Sequence, residues 1–240
     1  MAVLMVSLRV GDRALPLAWM AEAGFAHVGF AGQRPILEHV RCWLPAGARV
    51  MLSADRFYPS VALFDRLHEQ GWHYRLRLKN NLLVEVGHGE DCTTGALADG
   101  VRERYFPSVR LFASGVTMNL GILREVGHPD PGIIAMNCAP TRTCVLDYGA
   151  RWAIEPLFSD LKGRGFHLEH SQLQHADRLE RLLLMMALAL YWCVALGQED
   201  ARNHPTPLEK KRKLKQTLLT GLSENSTAVW SLGSNAGYVA

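Results

Sequence analysis

The chain has 240 residues, 48% of them hydrophobic and 20% charged, which fits a soluble globular protein long enough to bury one sizeable core. A net charge of +3 permits nucleic-acid binding without announcing it. The five cysteines, Cys42, Cys92, Cys138, Cys144 and Cys193, are odd in number and form no CxxC pair. That argues against a disulfide framework or a zinc site and for reduced thiols in a cytoplasmic protein. The apolar start lacks a basic leader and meets Arg9 too soon for a signal peptide, so no export is expected.

Residues 2–10 form an apolar run, Gly11-Asp12 is a turn signal, and residues 13–19 return, which predicts a β-hairpin. A helix is expected over 35–43, then a short strand over 49–53 that delivers Asp55 just past its end. Ligands collect at the carboxyl ends of strands in open α/β sheets, so Asp55 is a candidate site residue; a turn-forming Asp is the alternative. Residues 61–70 read as a helix closed by Gly71. Residues 73–79 alternate, with Arg75, Arg77 and Lys79 on one face, where they would track a DNA backbone or simply form a solvated face. Strand, helix and strand in this order suggest right-handed crossovers in a mixed sheet.

Residues 80–144 alternate short β-type runs (109–112, 118–124, 132–136) with Gly, Pro, Asn and Asp, and predict a β-rich insertion without obvious helices. From Tyr148 to residue 197 the pattern is helical. The apolar run 182–197 is shorter than the ~20 residues that cross a membrane, and it reads as a buried core helix. A small membrane-anchored protein is the weaker alternative. Residues 198–240 are polar, carry KKRKLK at 210–215, and are expected to form a loosely ordered tail. His167 and His170 have no Cys or His partner at a metal-binding spacing.

The most informative stretch is 148–162, YGARWAIEPLFSDLK. At about 100° per residue, Tyr148, Arg151, Glu155 and Lys162 fall at about 0°, 300°, 340° and 320° on one helical stripe. Ile154, Leu157, Phe158 and Leu161 supply a core face beside it. A carboxylate flanked by two cations suits a place where Mg²⁺ meets a phosphodiester, because the acid holds the ion while Arg and Lys neutralise phosphate oxygens. An amphipathic helix with a solvated charged stripe is the plainer alternative. Pro156 either kinks this helix or marks its start, with Glu155 near the cap, and Gly163 and Gly165 give it a stop.

The spacing Tyr-x2-Arg-x3-Glu-x6-Lys resembles the signature of bacterial insertion-sequence transposases of family four, in the DDE superfamily with its ribonuclease-H-like core. RVGDRALPLAW near the start, MLSADRFYP at 51–59, HYRLRLKNN at 73–81 and RWAIEPLFSDLKGRGFHLE at 151–169 also resemble that family's blocks, in its order. The resemblance covers roughly residues 1–197, and four ordered blocks are far more specific than one motif.

It implies an α/β fold, a ribonuclease-H-like mixed sheet with helices, interrupted by a β-rich insertion. Residues 1–79 would begin the catalytic core with its first strand missing, 80–146 would be the insertion, 147–197 would complete the core, and 198–240 would be the tail. It implies Asp55 and Glu155 as catalytic residues and Mg²⁺ ligands of a two-metal site. Tyr148, Arg151 and Lys162 would bind DNA. The partner would be double-stranded DNA at transposon ends and target, with room for a homodimer in a synaptic complex and no membrane. The first catalytic Asp of relatives precedes the hairpin block, and no Asp precedes Asp12, whose Gly-Asp turn explains it without a metal. Strand cleavage and transfer are therefore expected to be impaired. The alternative is a non-catalytic DNA-binding or inhibitory fragment of a decayed transposase.

Overall fold

β1 (Ala2–Val10) and β2 (Arg13–Glu22) form the expected antiparallel hairpin, in register from Ala2 opposite Glu22 to Val10 opposite Arg13. Gly11 turns the chain at φ +65°, a left-handed conformation that costs glycine little. Asp12 lies outside the described residues. The computed structural model describes residues 1–240 other than 12, 24–27, 88–89, 113–114, 126, 129, 206–227 and 236–240, and for residues 90 and 228–235 it describes the backbone alone.

α1 (Phe30–Trp43) begins at Phe30 rather than at Pro35. The buried Gln33 amide donates to the Val28 carbonyl (2.8 Å) and ties down the extra turn. β3 (Val50–Ala54) leads to α2 (Val61–Glu69), whose first turn is capped by Ser60 Oγ accepting from Leu63 N–H (3.3 Å). Gly71 at φ +63° reverses the chain into β4 (His73–Arg77).

The next region holds β5 (Leu83–Val86), β6 (Glu90–Thr93), α3 (Thr94–Ala98), β7 (Glu103–Leu111), β8 (Val116–Leu123) and β9 (Gly132–Met136). α4 (Arg142–Leu146) follows. The expectation of no helices there needs correcting, since Thr93 and Thr141 cap α3 and α4 with their hydroxyls. The β-rich region also continues the main sheet, because β9 pairs antiparallel with β4 from Arg75 opposite Met136 to Arg77 opposite Ile134. A 3₁₀ segment (Asp147–Ala153), α5 (Ile154–Leu161), a second 3₁₀ segment (Leu168–Ser171) and α6 (Ala176–Asn203) come next.

The largest departure from expectation lies in residues 198–240. α6 runs on to Asn203, and residues 228–235 form β10 (Ala228–Asn235) in the middle of the sheet. The ten strands run β2-β1-β10-β3-β4-β9-β8-β7-β5-β6. β10 is antiparallel to β1 and parallel to β3 and so joins the hairpin to the rest of the sheet. The basic run 210–215 lies outside the described residues.

Apolar residues of β1 alternate between two cores. Leu4 and Val6 join Leu52, Ala54, Leu63 and Phe64 under α1 and α2, whereas Val3 and Met5 join Ile154, Leu157, Leu161, Leu179 and Leu183 under α5 and α6. Each buried Leu or Phe contributes roughly 1.5–3 kcal/mol, so both faces of this strand are strongly held. The fold is thus a mixed α/β arrangement of the ribonuclease-H-like kind, with helices on both faces of a mixed sheet.

α6 is not wholly buried, as its sequence led one to expect. Leu179, Leu183 and Met186 pack on β2, and Glu180 takes hydrogen bonds from Trp19 Nε1 and Ala21 N–H. Leu184, Met185, Leu188, Tyr191, Trp192 and Leu196 face outward. By length and composition α6 could cross a membrane, with 17% of its apolar window buried inside the protein.

Candidate nucleic-acid interface

The signature residues do not lie on one continuous α-helix. Asp147–Ala153 is a 3₁₀ segment, in which residues three apart eclipse, and it stacks Arg151 beside Tyr148. α5 then begins at Ile154 with Pro156 in its first turn, where a missing N–H costs nothing. Of the two outcomes read from Pro156, the helix start holds. Arg151 reaches four residues forward and donates from Nη2 to Glu155 Oε1 (3.2 Å). α5 ends at Leu161, and the chain turns through Gly165, where a Cβ would stand 2.4 Å from the Asp160 carbonyl. Lys162 caps the helix and pairs with Glu169 (3.2 Å) rather than Glu155.

Arg151 is only 6% exposed and lies near three acceptors of different kinds. Burial works against its charge, but Tyr148, Asp55 and Glu155 outweigh it and hold the guanidinium more firmly protonated than usual. Burial pushes the Tyr148 phenol up to about 12, with Arg151 and Arg77 pulling down and Asp55 pushing further up. It is therefore a neutral hydrogen-bond donor at physiological pH. Arg151 Nε and, apart from the adjacent Arg151 side chain, the Tyr148 hydroxyl are buried without a well-formed hydrogen-bond partner among the described residues. Such orphans each cost about 1–3 kcal/mol and mark a place where a ligand oxygen would be welcome.

Asp55 follows β3 as expected, at the carboxyl end of the strand. Its Oδ1 accepts from Arg56 N–H (2.7 Å) and its carbonyl from Tyr58 N–H (3.1 Å), so the turn-forming role weighed from the sequence is present as well. The structure thus gathers Asp55, Tyr148, Arg151, Glu155 and Arg77. Lys79 lies to one side, with Nζ 5.3 Å from the Phe57 ring centroid.

Arg75 differs from its two alternating neighbours. It is 6% exposed, donates to the carbonyls of Cys144 (2.9 Å) and Tyr74 (2.8 Å), and pairs with Asp147 at 3.7 Å. Its contacts with Cys144 and Asp147 tie β4 to the approach of the signature segment. Replacing it in Arg75→Met is expected to cost roughly 2 kcal/mol by stranding those acceptors. A thermal melt checks this, and a loss below about 0.5 kcal/mol would deny the bracing role.

Sequence reasoning missed several flanking groups. Arg56 lies 5.5 Å from the exposed Phe57 ring, which Lys79 also approaches, and Arg151 lies 5.4 Å from the exposed Trp152 ring. A cleft of about 160 Å³ lined by Arg56, Arg77, Asn80, Arg124 and Asp130 adjoins a smaller one lined by Arg77, Asp130, Tyr148 and Trp152. Phe57 and Trp152 each stand within two residues of a candidate residue, which is the signal that would have found them.

For a divalent ion the donor set is a partial fit. Mg²⁺ is commonly held by one or two carboxylates together with substrate phosphates, and Asp55 and Glu155, both near Arg151, suit one such ion. A pair of ions needs more. Among the described residues no three His, Cys, Asp or Glu side chains are grouped to hold a metal, and β10 contains no acid.

Acids and cations converge at the carboxyl edge of a mixed sheet, beside exposed aromatic rings, an arrangement chemically suited to a phosphodiester. Residues 30–192, more than half of the chain, match the model of the Transposase DDE domain family, and the chain belongs to that family. No curated protein compared with the chain matches it.

Proposed function

We propose that the chain is the catalytic domain of a DDE transposase of insertion-sequence family four, acting on double-stranded DNA in the cytoplasm. The observation that carries this reading is the buried Arg151 held among Tyr148, Asp55 and Glu155 at the end of β3. Asp55 and Glu155 would hold Mg²⁺, which when bound polarises the scissile phosphate and acidifies a water. Arg151 and Arg77 neutralise phosphate oxygens, and the neutral Tyr148 hydroxyl donates to one of them. Lys162 and Lys79 extend the contact along the backbone. Arg75, committed inside the fold, takes no part. A homodimer would bring two transposon ends together.

A second reading follows from the acid count. With two carboxylates and none on β10, the chain holds Mg²⁺ weakly, and strand cleavage is impaired while DNA binding persists. That is the behaviour of a non-catalytic or inhibitory fragment, and a Mg²⁺-dependent nicking assay separates the two.

DNA binding is tested by titrating duplex DNA at several salt concentrations. Each lost phosphate contact lowers the slope of log K against log salt by about 0.9, so Arg77→Ala and Lys162→Ala should each lower it by roughly one unit, alike for many sequences. Arg75→Met should leave it unchanged. Unchanged slopes in both alanine variants would sink the interface.

A further inference from the structure

Cys138 and Cys144 lie outside the proposed interface. We infer that they form a redox dithiol, oxidised reversibly to an intramolecular disulfide by a small disulfide such as glutathione disulfide. The two Sγ atoms stand 3.0 Å apart, with Cys138 donating to Cys144, and both residues are partly buried free thiols. A bond at ~2.05 Å needs a further approach of only about 1 Å.

Both halves of the connecting loop are clamped, so this closeness is built in. Upstream, Asn137 accepts from Tyr74 N–H (3.3 Å) and donates to the Trp72 carbonyl (3.0 Å), while the Cys138 carbonyl accepts from Asn119 Nδ2 (2.7 Å). Downstream, Cys144 N–H donates to Thr141 Oγ1 (3.2 Å), and the Cys144 carbonyl accepts from Arg75 Nε (2.9 Å). Two separately anchored backbones thus hold one sulfur against the other, with Pro140 stiffening the span between them.

Chemically, the order of events follows from the hydrogen bond. Burial, and then the neighbouring Cys144, push the Cys138 thiol up to about 11, so it is the poorer first nucleophile. The Cys144 thiolate attacks glutathione disulfide, forming a mixed disulfide and releasing one glutathione. Cys138 then loses its proton and attacks the Cys144 sulfur, closing the ring and releasing a second glutathione. Two thiols are oxidised, one disulfide is reduced, and two protons leave with the two glutathiones. Of the other cysteines, Cys42 and Cys193 are exposed on α1 and α6, and Cys92 donates to the Val84 carbonyl (3.7 Å). The ring would lock residues 138–144, directly ahead of the segment that carries Tyr148 and Arg151.

The experiment treats the folded chain with glutathione disulfide, alkylates remaining thiols, and maps peptides by mass. The expected result is a peptide pair joined through Cys138 and Cys144, lighter by two hydrogens, resistant to alkylation and reopened by dithiothreitol. Cys138→Ser should instead retain glutathione on Cys144, because the resolving thiol is gone. Alkylation of both residues in the oxidised wild type, or a lasting glutathione adduct on either one, would overturn the proposal. The wild-type map stands even if a serine variant folds poorly.

Discussion

Leu232→Pro is expected to split the sheet. Leu232 is paired on both sides, opposite Val6 of β1 and beside Ala54 of β3, so proline there removes a ladder hydrogen bond and drives its ring into a neighbouring strand. A central strand has no solvent edge to absorb this. The cost should reach about 3 kcal/mol or more, a large part of the 5–15 kcal/mol typical of a domain, and lower the melting temperature by roughly 10 °C. Ala228→Pro, at the first residue of the strand, is the control and should cost far less. If the two melt alike, residues 228–235 are not a central strand.

The second large effect is a gain. β10 and β3 run parallel with Leu232 beside Ala54, the last step of a register in which Gly233 and Asp55 are the next residues of the two strands' chain segments. Gly233 also pairs with Met5, which belongs to the core under α5, the helix that begins with Glu155 in its first turn. Gly233→Asp should therefore add a third carboxylate to the two already near Arg151. Without metal the variant should be less stable, because a further carboxylate near Asp55 and Glu155 adds like-charge repulsion. With Mn²⁺ or Mg²⁺ that loss should reverse, and calorimetry should show binding at least about tenfold tighter than wild type, roughly 1.4 kcal/mol. Adding Asp55→Asn should erase the gain. Equal affinity of Gly233→Asp and wild type would mean that position 233 does not reach the metal site.

The hairpin, α2 with its Gly71 stop, β9 and the placement of Asp55 after β3 were legible because each rests on local chemistry: a turn or stop glycine, or short apolar runs between breakers. Glu155 near a helix start was legible for the same reason, since Pro156 restricts where a helix begins. β10 was not. Its run AVWSLGSN mixes Ser, Gly and Asn into a short apolar segment, and what makes it a strand is a slot between β1 and β3 that no local pattern reports. Arg75 misled for a related reason: alternation gives the face of a strand but not what covers that face, and here Tyr74, Cys144 and Asp147 do. The Cys138 and Cys144 contact depends on clamps from three different elements, again invisible to spacing.

The position of β10 also sets an order of events at the ribosome. β1 and β3 emerge early, yet their shared neighbour arrives more than 170 residues after β3, some ten to thirty seconds later at ordinary elongation rates. Throughout that interval the nascent chain presents two unsatisfied strand edges flanking a gap, both lined by strongly apolar sequence. Such edges recruit any extended peptide within reach, so chaperone occupancy during synthesis, rather than the stability of the finished sheet, should govern how much folded protein a cell recovers.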